Sequence, residues 1–221
     1  MRRYFVDCFF FRQVPRLERK SRILDLGGNK EAKRGQFNIE AYGLDVIYAD
    51  ITNRKRPDVR TDAMGIAFKD KTFHAVICSE LLEHVIDPLR VLQEVSRVLK
   101  PGGVLLVCVP FLFRIHGDPQ DFGRYTDFYW TRALEKTGFH AIGIEKQGLF
   151  WSVLLDMLRG AVSNFAILKK TSLKWIRRLA VLFLSFMAGI VIKHEAKNEC
   201  RRDPYFASFT TGFGIRAAKN D

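Results

Sequence analysis

The sequence predicts one α/β domain, a mostly parallel seven-stranded sheet flanked by helices, with a helical insertion before the last strand. Three observations carry that expectation. Residues 21–146 alternate short β-rich runs with longer segments of helical character, the mark of parallel strands joined by helical crossovers. The 221 residues, 48% of them hydrophobic, suffice for one good core and would be stretched to build two. A long apolar and basic segment then interrupts the alternation just before the final β-rich run. The organisation expected is an N-terminal segment 1–20, a main domain of 21–146 with 206–221, and an insertion of 147–205.

Taken in order, "RILDL" reads as the first strand and "DVIYAD" as the second. "PDVRTDA" holds a short third, "FHAVICS" a fourth and "GGVLLVCVP" a fifth. Between the last two, Leu89, Val91, Leu92, Val95, Val98 and Leu99 fall near helical spacing, with Pro88 in the first turn. Lys100, Pro101, Gly102 and Gly103 stop that helix. After a polar loop, "FRIHGDPQDFGRYT", a helix is expected from Asp127 to Lys136, then a stop at Gly138 and the strand "HAIGIEK". "FASFTTGFGIRAA" closes the chain, and the last two runs suit an antiparallel pair at one edge of the sheet.

Residues 149–202 contain ten Lys and Arg against three acids, and so supply +7 of the formal net charge of +12. Leu179 to Ile192 is uncharged, a rod of roughly 21 Å at about 1.5 Å per residue, short of a hydrocarbon core of roughly 30 Å. Preceded by "KKTSLKWIRR", it suits equally a helix lying in the headgroup region of a bilayer and a lid packed on the fold. Peripheral membrane contact is expected through 165–193. The start, "MRRYFVDCFFF", has an apolar run too short, and too soon broken by Asp7, for a signal peptide. Cys8, Cys78, Cys108 and Cys200 form no C-x-x-C pair, which suits reduced thiols and a cytoplasmic setting, with the inner face of a membrane as the further expectation.

The chemistry lies where strands end. In a parallel sheet, loops leaving the carboxyl edge converge on one crevice. Asp25, Gly27 and Gly28 end the first strand, Asp50 the second, Asp62 the third, and Ser79 with Glu80 the fourth. Glycines after the first strand allow a ligand close to the backbone. Asp50 lies about 20 residues further on, where a carboxylate accepts hydrogen bonds from ribose hydroxyls; Asp45 competes for that role, and the end of the β-rich run favours Asp50. Asp62 suits the amino group of an adenine. No G-x-G-x-x-G is present, and "GGNKEAKRG" lacks G-K-[ST], so a nucleoside without phosphate fits best.

"ILDLGG", "YADI", "IAFKDKTFHAVICSELLEHVIDP" and "VLQEVSRVLKPGGVLLVCVPF" resemble the class I S-adenosylmethionine-dependent methyltransferases, in particular the small type 11 group. The likeness runs from about Arg22 to Lys146 and resumes at the last strand, about three fifths of the chain. It implies a Rossmann-like fold and S-adenosylmethionine as cofactor. By the same resemblance Asp25, Gly27 and Gly28 lie beside its methionine part, Asp50 on the ribose, Asp62 and Ala63 at the adenine, and Ser79 with Glu80 under the sulfonium. The usual first loop reads D-x-G-x-G-x-G, whereas Asn29 and Lys30 stand here where later small residues would be. "HGDPQDFGRYT" is similar to members of the group encoded among surface-polysaccharide and lipid-modifying enzymes.

Methyl transfer needs alignment of the acceptor and, for an alcohol or amine, removal of a proton. His116, Asp118 and Asp121 are candidates on the loop after the fifth strand, and Asp118, Asp121, Arg124 and Tyr125 are candidate substrate contacts. Two readings stand side by side: His116 as base or as a structural residue, and the acids, Arg124 and Tyr125 as contacts or as fasteners of their own loop. Glu80, Glu83 and His84 have i, i+3, i+4 spacing, but no second His stands in register, so no metal site is expected. The functional expectation is methyl transfer to a small or lipid-linked acceptor. The alternatives are methylation of RNA or protein, motivated by the +12 charge, and a non-catalytic scaffold, motivated by the Asn29-Lys30 loop. The crowding of positive charge beside apolar helices, with no aromatics interleaved among arginines along a strand, argues against nucleic acid.

Overall fold

The computed structural model describes residues 1–28, 30–31, 35–117, 120–164 and 173–221, with Lys55 and Asn198 described by backbone alone. Seven strands form one sheet in the order β3-β2-β1-β4-β5-β7-β6. They are β1 (Arg22–Leu26), β2 (Asp45–Asp50), β3 (Val59–Arg60), β4 (Phe73–Ser79), β5 (Leu99–Pro110), β6 (Phe139–Lys146) and β7 (Gly212–Lys219). The first five run parallel, and β7 lies antiparallel between β5 and β6. The order reverses between β1 and β4, the switch point at which open α/β sheets leave a crevice.

Parallel strands are covered on both faces, so their side chains alternate between two cores. Leu24 and Val76 face one cluster with α2 (Pro88–Val98) and α3 (Asp127–Lys136), while Ile23 and Ile77 face the other with α1 (Arg2–Gln13). The start of α2 is set by Asp87, whose side chain accepts the Arg90 N–H at 3.0 Å, with Pro88 in the first turn. Val91, Leu92, Val95 and Val98 place one face of α2 in the core, and all four are fully buried. α3 starts on Thr126, which accepts the Tyr129 N–H, and stops before Gly138, in the left-handed region at φ +85°.

Two elements differ from the sequence expectation. The segment before β1 is a helix, α1, whose Val6, Phe9, Phe10 and Val14 close one face of the sheet. Its apolar residues are interrupted by Arg2, Asp7 and Gln13, all buried, which masks the helical period. The insertion contains α4 (Phe150–Asn164), α5 (Lys174–Glu195) and α6 (Asn198–Arg202). α5 has 22 residues, about 33 Å, because the helix continues through the charged residues flanking the uncharged run. It is long and apolar enough to cross a membrane, and none of its most apolar 18 residues is buried. α4 and α5 pack on each other. Their ends are tied by Glu195, buried, which accepts the Leu149 N–H at 2.8 Å, the Ser152 N–H at 2.8 Å and the Ser152 hydroxyl at 2.6 Å. Negative charge at the first turn of α4 also suits the helix dipole.

Candidate active site

The carboxyl edge of β3-β2-β1-β4 collects the residues singled out in the sequence. Asp25 lies near the end of β1 and Asp50 closes β2, one strand away. Asp45 opens β2 at the opposite edge, 3.6 Å from Arg22. The Gly27 N–H donates to the Ala49 carbonyl at 2.7 Å, so the β1 turn lies against the end of β2. Gly27 has φ +78°, a conformation that L side chains rarely adopt. A Cβ on Gly28 would stand 2.3 Å from the Asp25 carboxyl, so this glycine makes room for the folded-back acid itself. Asn29 lies outside the described residues, and Lys30 pairs with Asp58 at 2.6 Å.

Asp50 is buried and turned on its own backbone: its Oδ1 accepts the Thr52 N–H at 2.8 Å and the Thr52 hydroxyl at 3.0 Å. Asp62 is exposed, accepts the Met64 N–H at 2.9 Å, and is followed by buried Ala63. At the end of β4, Ser79 Oγ is buried without a hydrogen-bond partner. Glu80 sits at φ +53°, a strained conformation for a non-glycine residue. It is held there by its N–H, which donates to the Cys108 carbonyl at 2.8 Å, and by Arg2, whose Nη2 reaches its carboxylate at 2.6 Å. Arg2 also donates to Gln147 at 2.5 Å, so the start of α1 reaches the carboxyl edge, a contact that no motif announces.

S-adenosylmethionine fits this donor set. The orphaned Ser79 hydroxyl, the positive-φ Gly27 turn and acids on adjacent strand ends are what a cationic sulfonium, a free amino group and a ribose diol require. The group supplies a methyl carbon activated by positive sulfur. Asp25, Gly27 and Gly28 would hold its amino-acid part, Asp50 the ribose, Asp62 and Ala63 the adenine, and Ser79 with Glu80 the region of the sulfonium.

The loop after β5 folds over the end of β4. The Phe122 N–H donates to the Glu83 carbonyl at 2.8 Å, and His84 Nδ1 bonds the Gln120 carbonyl at 2.5 Å. Glu80, Glu83 and His84 do not share a helix face: Leu82–His84 is a single 3-10 turn, and Glu80 precedes it in the left-handed conformation. Glu83 is 2% exposed, and burial together with the nearby Glu80 carboxylate pushes its carboxyl up to about 8.

Asp121 is the hub of this loop. It accepts the His116 N–H at 2.9 Å, lies 3.2 Å from His116 Nδ1, and pairs with Arg124 through both carboxylate oxygens. The Arg124 guanidinium and the His116 N–H hold its carboxyl down at about 2, so it is an ionised strut. Tyr125 stacks on Tyr129 at 4.3 Å and packs against the core. Asp121, Arg124 and Tyr125 therefore have fastening contacts inside the loop, His116 is partly exposed with its ring steered by Asp121, and Asp118 lies outside the described residues.

A family of proteins described as methyltransferase domain matches residues 2–118, more than half of the chain. The chain belongs to that methyltransferase-domain family. The demethylmenaquinone methyltransferase of Renibacterium salmoninarum is 40% identical over 75 residues, which is 29% of this chain and 32% of that protein. The chain thus spans about a third of that relative's length. Among solved structures, the Haemonchus contortus phosphoethanolamine N-methyltransferase 2 in complex with S-adenosyl-L-methionine aligns with a TM-score of 0.59 at 17% identity, over 97% of this chain and 52% of that one. A SAM-dependent methyltransferase from Archaeoglobus fulgidus aligns with a TM-score of 0.59 at 16% identity, over 98% and 94%. At these identities the structural likeness establishes the fold, which matches the Rossmann-like sheet expected from the strand pattern.

Proposed function

We propose that this methyltransferase-family chain moves the methyl group of S-adenosylmethionine to a small amphiphilic or lipid-linked acceptor presented at a membrane surface. The observation that carries the reading is the pairing of an acid-lined carboxyl edge with an apolar helix that leaves large side chains exposed. Leu179, Leu182, Phe183, Phe186 and Ile190 of α5 are all exposed, together with Trp151, Met157 and Leu158 of α4. Exposed apolar side chains of that kind, on a helix that opens with Lys174, Arg177 and Arg178, suit insertion beside anionic headgroups. Either arrangement, lying in the interface or crossing the bilayer, keeps the catalytic domain next to lipid. That setting is the inner, cytoplasmic face of a membrane, in surface glycan or lipid biosynthesis. His116 is the proton acceptor in this reading, steered by Asp121.

The first test is calorimetry with S-adenosylhomocysteine, followed by tritium transfer from labelled cofactor into membrane extracts. Micromolar binding and label in the lipid fraction support the proposal. Absence of binding favours the second reading, a non-catalytic scaffold, for which the Arg2–Glu80 pair speaks, since it neutralises internally the acid at the end of β4. Label in RNA or protein in place of lipid would favour the rival acceptors.

A further inference from the structure

We propose that Glu83, His84 and His116 bind a divalent transition-metal cation of the zinc class beside the methyl-transfer crevice, with positions left open for an oxygen of the acceptor. The role at the acceptor rests on the methyltransferase reading; the metal site does not. Spacing along the chain looked for a second imidazole on the same element as His84. The fold brings it from another element, the loop after β5.

The ligand atoms of Glu83, His84 and His116 lie within 4.8 Å of one another, with His84 Nε2 3.7 Å from Glu83 Oε1. Tetrahedral zinc with bonds near 2.0–2.1 Å separates its ligands by about 3.3 Å, so side-chain rotations of the order of 1 Å complete the shell. Both imidazoles are already oriented. His84 Nδ1 faces the Gln120 carbonyl, an acceptor only, so this nitrogen carries the hydrogen and leaves a lone pair on Nε2. His116 Nδ1 faces the Asp121 carboxylate and the Arg114 carbonyl, again acceptors only, with the same consequence. A metal-binding histidine characteristically has its other nitrogen fixed to a carbonyl or carboxylate in this way. The rings meet edge to face with centroids 5.0 Å apart.

Glu83 supplies the second, independent sign. Both of its carboxylate oxygens are buried and have no hydrogen-bond partner. A buried carboxylate without partners is costly, and a cation is what satisfies one. Two imidazoles with one carboxylate favour zinc, manganese or iron over calcium or magnesium, and three protein ligands leave the open position of a catalytic site. There the ion would take an acceptor hydroxyl or carboxylate as a ligand, orienting an oxygen nucleophile and making its proton easier to lose to solvent; with Nε2 on the ion, His116 is a ligand, and it serves as proton acceptor only in the metal-free form.

The test uses the full chain in detergent, stripped with chelator and titrated with Zn²⁺ against a chromophoric competitor. One ion per chain is expected, with affinity falling more than about 100-fold in His84→Ala and in His116→Ala, beyond the loss typical of supporting residues. Glu83→Gln keeps the side-chain shape and should weaken binding while the fold survives. His140→Ala, an exposed histidine on β6, should change nothing. His194 and Cys200, 3.1 Å apart on the insertion, are the competing site, so Cys200→Ser is the control. Zn²⁺ held equally well by the folded His84→Ala/His116→Ala double variant, or lost in Cys200→Ser, overturns the proposal. S-adenosylhomocysteine binding measured on the same samples keeps the two readings apart: cofactor bound without metal sinks only the metal site, and metal bound without cofactor sinks only the methyltransferase reading.

Discussion

The carboxyl-edge half of the molecule and its helical insertion use the same apolar residue types to opposite ends. Leu92 of α2 is fully buried, whereas Leu182 of α5 is 66% exposed. Full burial of a leucine is worth about 1.5–3 kcal/mol, so the insertion leaves at several positions a stabilisation that the sheet domain realises at nearly every one. Hydropathy alone therefore does not distinguish a core helix from one waiting for a partner. What distinguishes them is what lies opposite: α2 faces the core on the sheet, while α5, among the described residues, packs on α4 and at its end on α6, with Glu195 tying that end.

That contrast is most directly broken by truncating the same side chain in each region. Leu92→Ala is expected to destabilise the protein in mild detergent by about 2–5 kcal/mol in denaturant titration, and Leu182→Ala by less than about 0.5 kcal/mol. On anionic vesicles the order should invert, Leu182→Ala with Phe186→Ala weakening binding where a folded Leu92 variant does not. A large loss for Leu182→Ala in solution would mean that α5 is packed there, and the two regions would be alike. Glu195→Ala comes next, at about 2–3 kcal/mol, because three donors at the start of α4 lose their buried carboxylate. Its effect should be local: amide exchange accelerates in α4 and α5, and β4 stays protected.

A third substitution probes the crevice. Gly28→Ala places a methyl 2.3 Å from the Asp25 carboxyl, which must swing away, at a cost of about 1–3 kcal/mol. S-adenosylhomocysteine affinity should fall with it, read by calorimetry, if Asp25 holds the amino-acid part of the cofactor. Retained affinity would place that part elsewhere.

Legibility followed the same division. All seven strands, α2 and α3 could be read from the sequence, because β-branched runs ending in acids or glycines and the Pro88-to-Gly103 stretch obey local rules. The set Asp25, Asp50, Asp62 and Glu80 was legible for a topological reason, since successive parallel strands bring their ends to one edge. Three features were not. α1 hides its period behind Arg2, Asp7 and Gln13, whose burial depends on partners as distant as Glu80 and Gln147. The approach of His116 to His84 depends on a loop strapped down by Gln120 and Phe122, and no spacing rule reports a contact between residues so far apart. Gly28 also has a reason that the sequence did not announce, the Asp25 carboxyl that a Cβ there would meet.

The smallest expected effect sharpens the comparison from the buried side. Glu94 of α2 accepts hydrogen bonds from Arg97 at 2.8 Å and from the Ile66 N–H at 3.0 Å, tying the helix to the loop that follows Asp62 and Ala63. Arg97, and then the Ile66 amide, hold the Glu94 carboxyl below the ordinary glutamate value. A carboxyl lowered in the folded state contributes stability above its unfolded value, near 4.3, and loses that contribution as pH falls toward the lowered folded value. Glu94→Gln cannot titrate. It should be about 1 kcal/mol less stable than the parent at pH 7, with the gap closing as pH drops below about 4. The gap should also survive added salt better than any vesicle-binding loss from Arg177 and Arg178, because a partly buried pair is screened less than an exposed charge facing a bilayer. A gap independent of pH from 7 to 3 would mean that the glutamate holds the loop by shape alone.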